Sequence, residues 1–258
     1  MCEVSVVIPC FNEEHRLRGQ HILDFVAAHT NVTVCFVDDG STDATRKMLE
    51  DVRSRSPQRI FVCGLNRNHG KGEAVRQGVL YASSTRPTAF IGYWDADLST
   101  PLDEIDHLLG AFEIDPGCVL AMGSRVKRLG SDIERNAVRH YLGRVFSTFA
   151  SQVLNLPVYD SQCGAKLFRS DTASVLFASP FITTWLFDVE LLARLRNHIG
   201  RDALLKTVAE VPLHTWREVG GSKLRLAHMI NVPFELLRIR SHYNKRNAPP
   251  QRTQRTQR

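Results

Sequence analysis

No uncharged apolar run in this chain of 258 residues approaches the ~20 needed to cross a bilayer as a helix, so any membrane association is expected to be peripheral. No secretory leader is expected, since residues 1–3 lead straight into an apolar run. Cysteine is sparse and scattered. Cys2, Cys10, Cys35, Cys63, Cys118 and Cys163 form no close pair, which excludes zinc-ribbon and Cys-x-x-Cys redox chemistry and reads as reduced core thiols of a cytoplasmic protein. Neither a Walker A sequence nor Gly-x-Gly-x-x-Gly occurs, which disfavours a hydride-transfer Rossmann enzyme. No Ser/His/Asp set announces itself, and the ten histidines lack metal-ligand spacing; His15, His21 and His29 read as residues of a solvated helix. Acid is missing from one end only. Six basic residues and no acid lie between Arg240 and Arg258, leaving 27 basic against 27 acidic residues elsewhere, so the net charge of +6 belongs to the tail and does not indicate a nucleic-acid binder.

What is present is ordinary globular composition, 43% hydrophobic and 23% charged, enough for one large domain over residues 1–246 followed by a disordered basic tail over 247–258. Short apolar runs at 4–9, 32–37, 59–63 and 88–94 alternate with helical spacing at 13–28, 41–53 and 70–83. That alternation implies an α/β fold with a mainly parallel, Rossmann-like sheet and helices on both faces. A further helix over 101–112 and a strand over 118–123 come next. The second half is less regular, with amphipathic helices expected at 132–156 and 224–243, both candidates for lying on a membrane surface, and a strand at 204–211.

Two of the apolar runs end in paired acids. Asp95-Ala96-Asp97 closes the run at 88–94, and Asp38-Asp39 closes the run at 32–37. Ligands of open α/β sheets bind outside the carboxyl ends of the strands, and neighbouring carboxylates suit a divalent cation carrying a diphosphate. Asp-x-Asp alone also fits a solvated turn; the second pair makes decoration harder to sustain. Asp38 and Asp39 are candidate ligands for ribose, base or metal, while Ser41 and Asp43 suit a structural helix cap. Pro9, Phe11 and Glu13 stand just after the first strand, where a base or ribose could lie. Lys71, in Arg67-Asn68-His69-Gly70-Lys71-Gly72, is placed to reach a phosphate or base, and Arg125 and Arg139 offer planar forks that match phosphate oxygens. The segments 160–166, 187–190 and 216–223, with Arg217 and Lys223, have the composition of a flexible clamp on phosphate. Asp188 is either a base for a hydroxyl acceptor or a partner orienting an arginine.

Taken in order, Val-Val-Ile-Pro-Cys-Phe-Asn-Glu-Glu, Val-Asp-Asp-Gly-Ser-Thr-Asp, Asn-His-Gly-Lys-Gly, Asp-Ala-Asp, Gly-Ser-Arg, Gln-Cys-Gly-Ala-Lys-Leu-Phe, Trp-Leu-Phe-Asp-Val-Glu-Leu-Leu and Gly-Ser-Lys resemble family 2 glycosyltransferases. The chain looks most like their dolichyl-phosphate glucosyltransferase and mannosyltransferase branch, over about residues 4 to 240. The resemblance implies the glycosyltransferase A-type fold and an inverting, metal-dependent transfer of a hexose from a nucleotide sugar to a polyprenyl phosphate. The Gln-Cys-Gly and Trp-x-Phe-Asp-Val-Glu-Leu-Leu segments lean toward UDP-glucose as donor. By this resemblance Pro9, Phe11, Glu13 and Asp38 hold the nucleoside, and Asp95 and Asp97 serve Mg²⁺ or Mn²⁺ and the diphosphate. Arg125 and Arg139 grip the acceptor phosphate, and Arg217 with Lys223 closes over the donor. Relatives of this branch commonly carry a membrane helix, and none is expected from the runs in this sequence; contact with the cytoplasmic face of a membrane through the amphipathic helices and basic tail would take its place. Two other readings stand beside this one: a family 2 enzyme using GDP-mannose, or a soluble hydroxyl acceptor with Asp188 as base; and a noncatalytic nucleotide or nucleic-acid binder.

Overall fold

The computed structural model of the chain describes residues 3–134, 137–219 and 226–244, apart from the side chains at 137–140, 142, 226–230 and 244. The first half has the expected alternation: β1 (Val4–Cys10), α1 (Gly19–Ala28), β2 (Val32–Asp38), α2 (Thr45–Arg55), β3 (Ile60–Gly64), α3 (Lys71–Thr85) and β4 (Phe90–Trp94). Then come α4 (Glu104–Ile114), β5 (Leu120–Ser124), β6 (Asp132–Glu134), α5 (Ala137–Leu154), β7 (Ala165–Arg169), α6 (Ser170–Leu176), α7 (Phe187–Ile199), α8 (Arg201–Thr207), β8 (Val208–Pro212), β9 (Thr215–Arg217) and α9 (Leu226–Asn244).

Seven strands form one sheet in the order β3-β2-β1-β4-β7-β5-β8, and β6 pairs with β9 in a separate parallel ribbon. Strands β1, β2 and β4 are buried along almost their whole length because helices cover both faces, which is why they read as continuous apolar runs. Side-chain alternation divides the core. Val4, Val6, Ile8, Val34 and Phe36 face Ile22, Leu49 and Ile105 on one side. Val7, Cys35, Val37 and Tyr93 face Val75, Val79, Phe177 and Leu191 on the other.

Four local expectations change. Residues 13–17 form a turn and α1 begins only at Gly19. The stretch 132–156 opens with a three-residue strand before α5, and 204–211 begins as helix α8 before becoming β8. The largest difference is β7. It runs antiparallel to both β4 and β5, so the sheet is not purely parallel, and residues 160–166 are no flexible clamp. Asp160, Ser161, Cys163, Ala165 and Lys166 are all buried, because the segment feeds a strand in mid-sheet.

The turn after β2 depends on Gly40. Its φ is +67°, and a Cβ there would lie 2.3 Å from the Arg67 carbonyl carbon and 2.7 Å from the Asn68 nitrogen. Gly40→Ala therefore combines backbone strain with a backbone collision. A loss of about 1–3 kcal/mol in urea unfolding is expected, and wild-type stability would show that the loop at 67–70 can retreat without cost.

Candidate active site

Since β4 and β5 are both antiparallel to β7, they run in the same direction as each other and as β1, β2 and β3. Pro9 and Phe11, Asp38 and Asp39, Asp95 to Asp97 and Arg125 consequently reach one edge of the sheet, at its carboxyl end. The start of β7 and the N-terminal turn of α3 meet them there.

The two acidic pairs differ in kind. Asp39 is 2% exposed, and its two oxygens accept the backbone N–H groups of His69 and Gly70, each at 2.8 Å. Burial raises its pKa in spite of those two amides. Asp38, also buried, accepts the Ser41 N–H at 3.0 Å and lies 3.9 Å from Arg46. Both thus fix the loops around the edge. Ser41 and Asp43 tie loops together and do not cap α2, whose N-cap is Ala44: Ser41 Oγ accepts the Asn12 N–H at 3.1 Å, and Asp43 accepts the N–H groups of Thr45 and Glu14. Glu13 is stitched into the same seam through its own N–H, which donates to Thr45 Oγ1 at 2.7 Å.

Asp95 and Asp97 are more open, with side chains 37% and 25% exposed, and each faces a base. Lys71 Nζ lies 2.6 Å from Asp95 Oδ1, and Arg16 is 3.5 Å from Asp97 Oδ2. Burial disfavours the charge on both members of the Lys71–Asp95 pair, but mutual attraction wins: the Lys71 pKa is held above its usual value, with Asp188 adding to Asp95, and the Asp95 pKa is held below the carboxylate range, with Lys166 and Arg125 assisting. Asp95 lies directly on the backbone of Gly164, where a Cβ would be 2.1 Å from its carboxylate oxygen. Ala96 is buried between the two acids. Two partly exposed carboxylates at one strand end, already matched to cationic groups, are a donor set suited to a hard divalent ion.

Arg125 is held by a bidentate pair with Asp160, Nε and NH2 each at 2.7 Å. Burial opposes its charge and Asp160 more than restores it, so its pKa is raised. Gripping a phosphate from this position would mean sharing the guanidinium with Asp160. Arg139 is on α5 with its side chain outside the described residues, and Lys223 lies outside them altogether. Arg217 is exposed, ion-paired with Asp132 at 2.7 Å, and its N–H donates to Ser99 O at 3.0 Å.

Among the described residues the cation that Asp188 meets is a lysine rather than an arginine. At 3% exposure, its Oδ1 accepts from Lys166 Nζ at 2.5 Å and from the Tyr93 hydroxyl. Burial, and after it the Asp188 charge, keeps the Tyr93 pKa well above its normal value, so that hydroxyl stays a donor. Tyr93 and Arg16 are the site residues that sequence reasoning missed, and Asp160 and Lys166, read there as part of a flexible clamp, are instead buried ion-pair partners of Arg125 and Asp188. A lysine between Ala165 and Leu167-Phe168 was the available signal, since a charge inside an apolar run needs a counter-ion.

The Lys166–Asp188 pair gives a stability test. Lys166→Met leaves a buried carboxylate uncompensated and should cost about 3–5 kcal/mol in denaturant unfolding. Lys166→Met/Asp188→Leu should cost less than Lys166→Met alone. Additive losses would show that the two groups do not act as a pair.

The family described as glycosyl transferase family 2 matches residues 5–177, from β1 through the end of α6. Dolichyl-phosphate beta-glucosyltransferase of Mus musculus is 32% identical over 93% of this chain and 76% of its own length, and that of Drosophila melanogaster is 34% identical over 86% and 69%. Among solved structures, glucosyl-3-phosphoglycerate synthase from Mycobacterium tuberculosis, in complex with Mn²⁺, UDP and glucosyl-3-phosphoglycerate, superimposes with a TM-score of 0.67 at 17% identity, covering 97% of this chain and 82% of that one. The architecture is accordingly the glycosyltransferase A-type fold.

Proposed function

The chain belongs to glycosyl transferase family 2, and from that premise we propose that it transfers glucose from UDP-glucose to a polyprenyl phosphate of the dolichyl type. The observation that carries this reading is the charge-matched pair Asp95 and Asp97 at the end of β4, each facing a base and both partly open. The names of the relatives supply the sugar and the lipid acceptor. A β product formed from an α-linked nucleotide sugar requires one inversion at the anomeric carbon.

Asp95 and Asp97 would hold Mg²⁺ or Mn²⁺, which when bound neutralises the charge building on the departing nucleoside diphosphate. Lys71, kept protonated beside Asp95, places a second cation at the same spot, and Arg16 does so beside Asp97. Pro9, Phe11, Glu13 and Asp38 line the nucleoside side, while Arg125 and Arg139 would receive the acceptor phosphate. That phosphate is anionic near neutral pH and attacks without a strong base, so the protein's task is positioning and charge neutralisation. An Asp188 locked between Lys166 and Tyr93 accords with a reaction that needs no general base.

A lipid acceptor has to be met at a membrane. Among the described residues no helix is long and apolar enough to cross one. Helix α5 instead exposes Tyr141, Val145 and Phe149 at four-residue spacing, and α9, which packs against it, exposes Phe234 and Leu237 beside Arg238 and Arg240. Apolar stripes with neighbouring arginines suit the surface of an anionic bilayer, to which the basic residues after α9 would add about 1 kcal/mol each.

UDP-glucose with Mn²⁺ at ~100 times its dissociation constant should stabilise the wild type by about 2.7 kcal/mol in thermal unfolding. GDP-mannose should give less, and Asp97→Ala should lose both the shift and about a hundredfold or more of glucosyl transfer to polyprenyl phosphate. No shift with any nucleotide sugar would refute the donor site. In flotation with vesicles containing anionic lipid, Phe149→Glu/Phe234→Glu should lose binding while still hydrolysing or binding the donor. Undiminished flotation would remove α5 and α9 from the membrane contact.

A further inference from the structure

We propose that Glu104, His107 and His214 form a binding site for a borderline divalent transition metal ion, Zn²⁺ foremost, separate from the Asp95 and Asp97 carboxylates. One ligand atom from each of these three side chains lies within 4.8 Å of the others. They line a cavity of about 240 Å³ together with Pro101, Asp103 and Thr215. Glu104 opens helix α4, and His214 immediately precedes β9, so residues far apart in sequence are brought face to face by the fold.

The carboxylate is preorganised. Glu104 is 6% exposed and accepts the His214 N–H at 3.1 and 3.2 Å and the Thr215 N–H at 2.7 Å, which fixes its plane. The two imidazoles stack with centroids 4.0 Å apart and an interplanar angle of 22°. Both direct Nδ1 at the same oxygen, Glu104 Oε2, from 3.6 Å for His107 and 3.8 Å for His214. Those separations exceed hydrogen-bonding reach, and His107 Nδ1 is a buried nitrogen with no hydrogen-bond partner among the described residues. A carboxylate serving only to cap the turn at 214–215 would leave that nitrogen unexplained.

Donors about 2.0–2.1 Å from a tetrahedral ion stand about 3.4 Å from one another, so each imidazole needs to approach the carboxylate by only a few tenths of an ångström from its 3.6 or 3.8 Å. They have room: the His214 side chain is 58% exposed and the His107 side chain 32%. Water or Asp103 would complete the coordination. Two imidazoles and one carboxylate select Zn²⁺, Ni²⁺ or Cu²⁺ over Mg²⁺, which takes oxygen ligands, and this separates the site chemically from the aspartate pair. The site joins the start of α4 to β9. From β9, Arg217 N–H donates to Ser99 O and Ser99 N–H donates to Asp97 Oδ1, each at 3.0 Å, so an ion there clamps the two segments that flank the Asp97 loop.

The test is a Zn²⁺ titration of the chelator-treated full chain against a chromophoric competitor, with Co²⁺ absorption as a probe of imidazole coordination. One Zn²⁺ per chain is expected. His107→Gln and His214→Gln should each weaken it by about tenfold or more and alter the Co²⁺ spectrum. Asp97→Ala and a large excess of Mg²⁺ should leave it unchanged. Metal-free thermal unfolding identifies any variant that fails to fold, in which case the other histidine variant decides. Wild-type affinity in a folded histidine variant, loss of Zn²⁺ in Asp97→Ala, or no stoichiometric Zn²⁺ binding by the wild type would each overturn the proposal.

Discussion

The buried ion pair between Lys166 and Asp188 is the contact on which the geometry of the sheet edge depends. It joins β7 to the first turn of α7, and through the Tyr93 hydroxyl it includes β4. Such a pair gains little stability over an apolar substitute, but it allows few alternative registers. Its neighbour Phe187 is held against Gly72, where a Cβ would meet the Phe187 side chain at 2.9 Å, and the Lys71 ammonium lies 5.5 Å from the Phe187 ring centre. Thus α7 sets the position of the N-terminus of α3, and α3 delivers Lys71 to Asp95.

Around that frame, two acidic pairs that look alike in sequence do different work. Asp38 and Asp39 are almost fully buried; Asp39 spends both oxygens, and Asp38 one, on backbone N–H groups of loops, so much of their negative charge is converted into loop position. Asp95 and Asp97 keep part of their surface open and are balanced by long cationic side chains, which can be shared with a charged ligand. The difference lies in the backbone around each strand end. A glycine turn folds back over Asp39, while Gly164 gives Asp95 a flat backbone to rest on.

The first half of the fold was legible because its strands are buried on both faces and its helices are separated from them by recognisable turns; the ends of β1, β2 and β4 therefore came out together, and the aspartates with them. The helix expected from residue 13 starts late because Glu13 and Glu14 are engaged by the 43–45 turn, a tertiary contact that spacing cannot register. Strand β7 was hidden by its own charges: Ala165-Lys166-Leu167-Phe168-Arg169 reads as a polar loop until Asp188 supplies the counter-ion and the Cys118 carbonyl takes up Arg169. Asp160 reads as part of a flexible clamp because its partner Arg125 lies 35 positions away in sequence and meets it only in the fold. The stacked histidines share no local motif, since they come from a helix and a strand end that meet only in the folded chain.

The antiparallel β7 also has a consequence for how the chain comes into being. On the side of β4 away from β1 the neighbour is β7, whose residues are made some seventy positions later. Until then Phe90-Ile91-Gly92-Tyr93-Trp94, a strand buried at every position in the finished protein, is an apolar edge open to any other extended segment. Synthesis of the first half therefore yields a sheet that cannot seal itself, and the interval before residue 165 emerges is the period in which this protein is most exposed to aggregation.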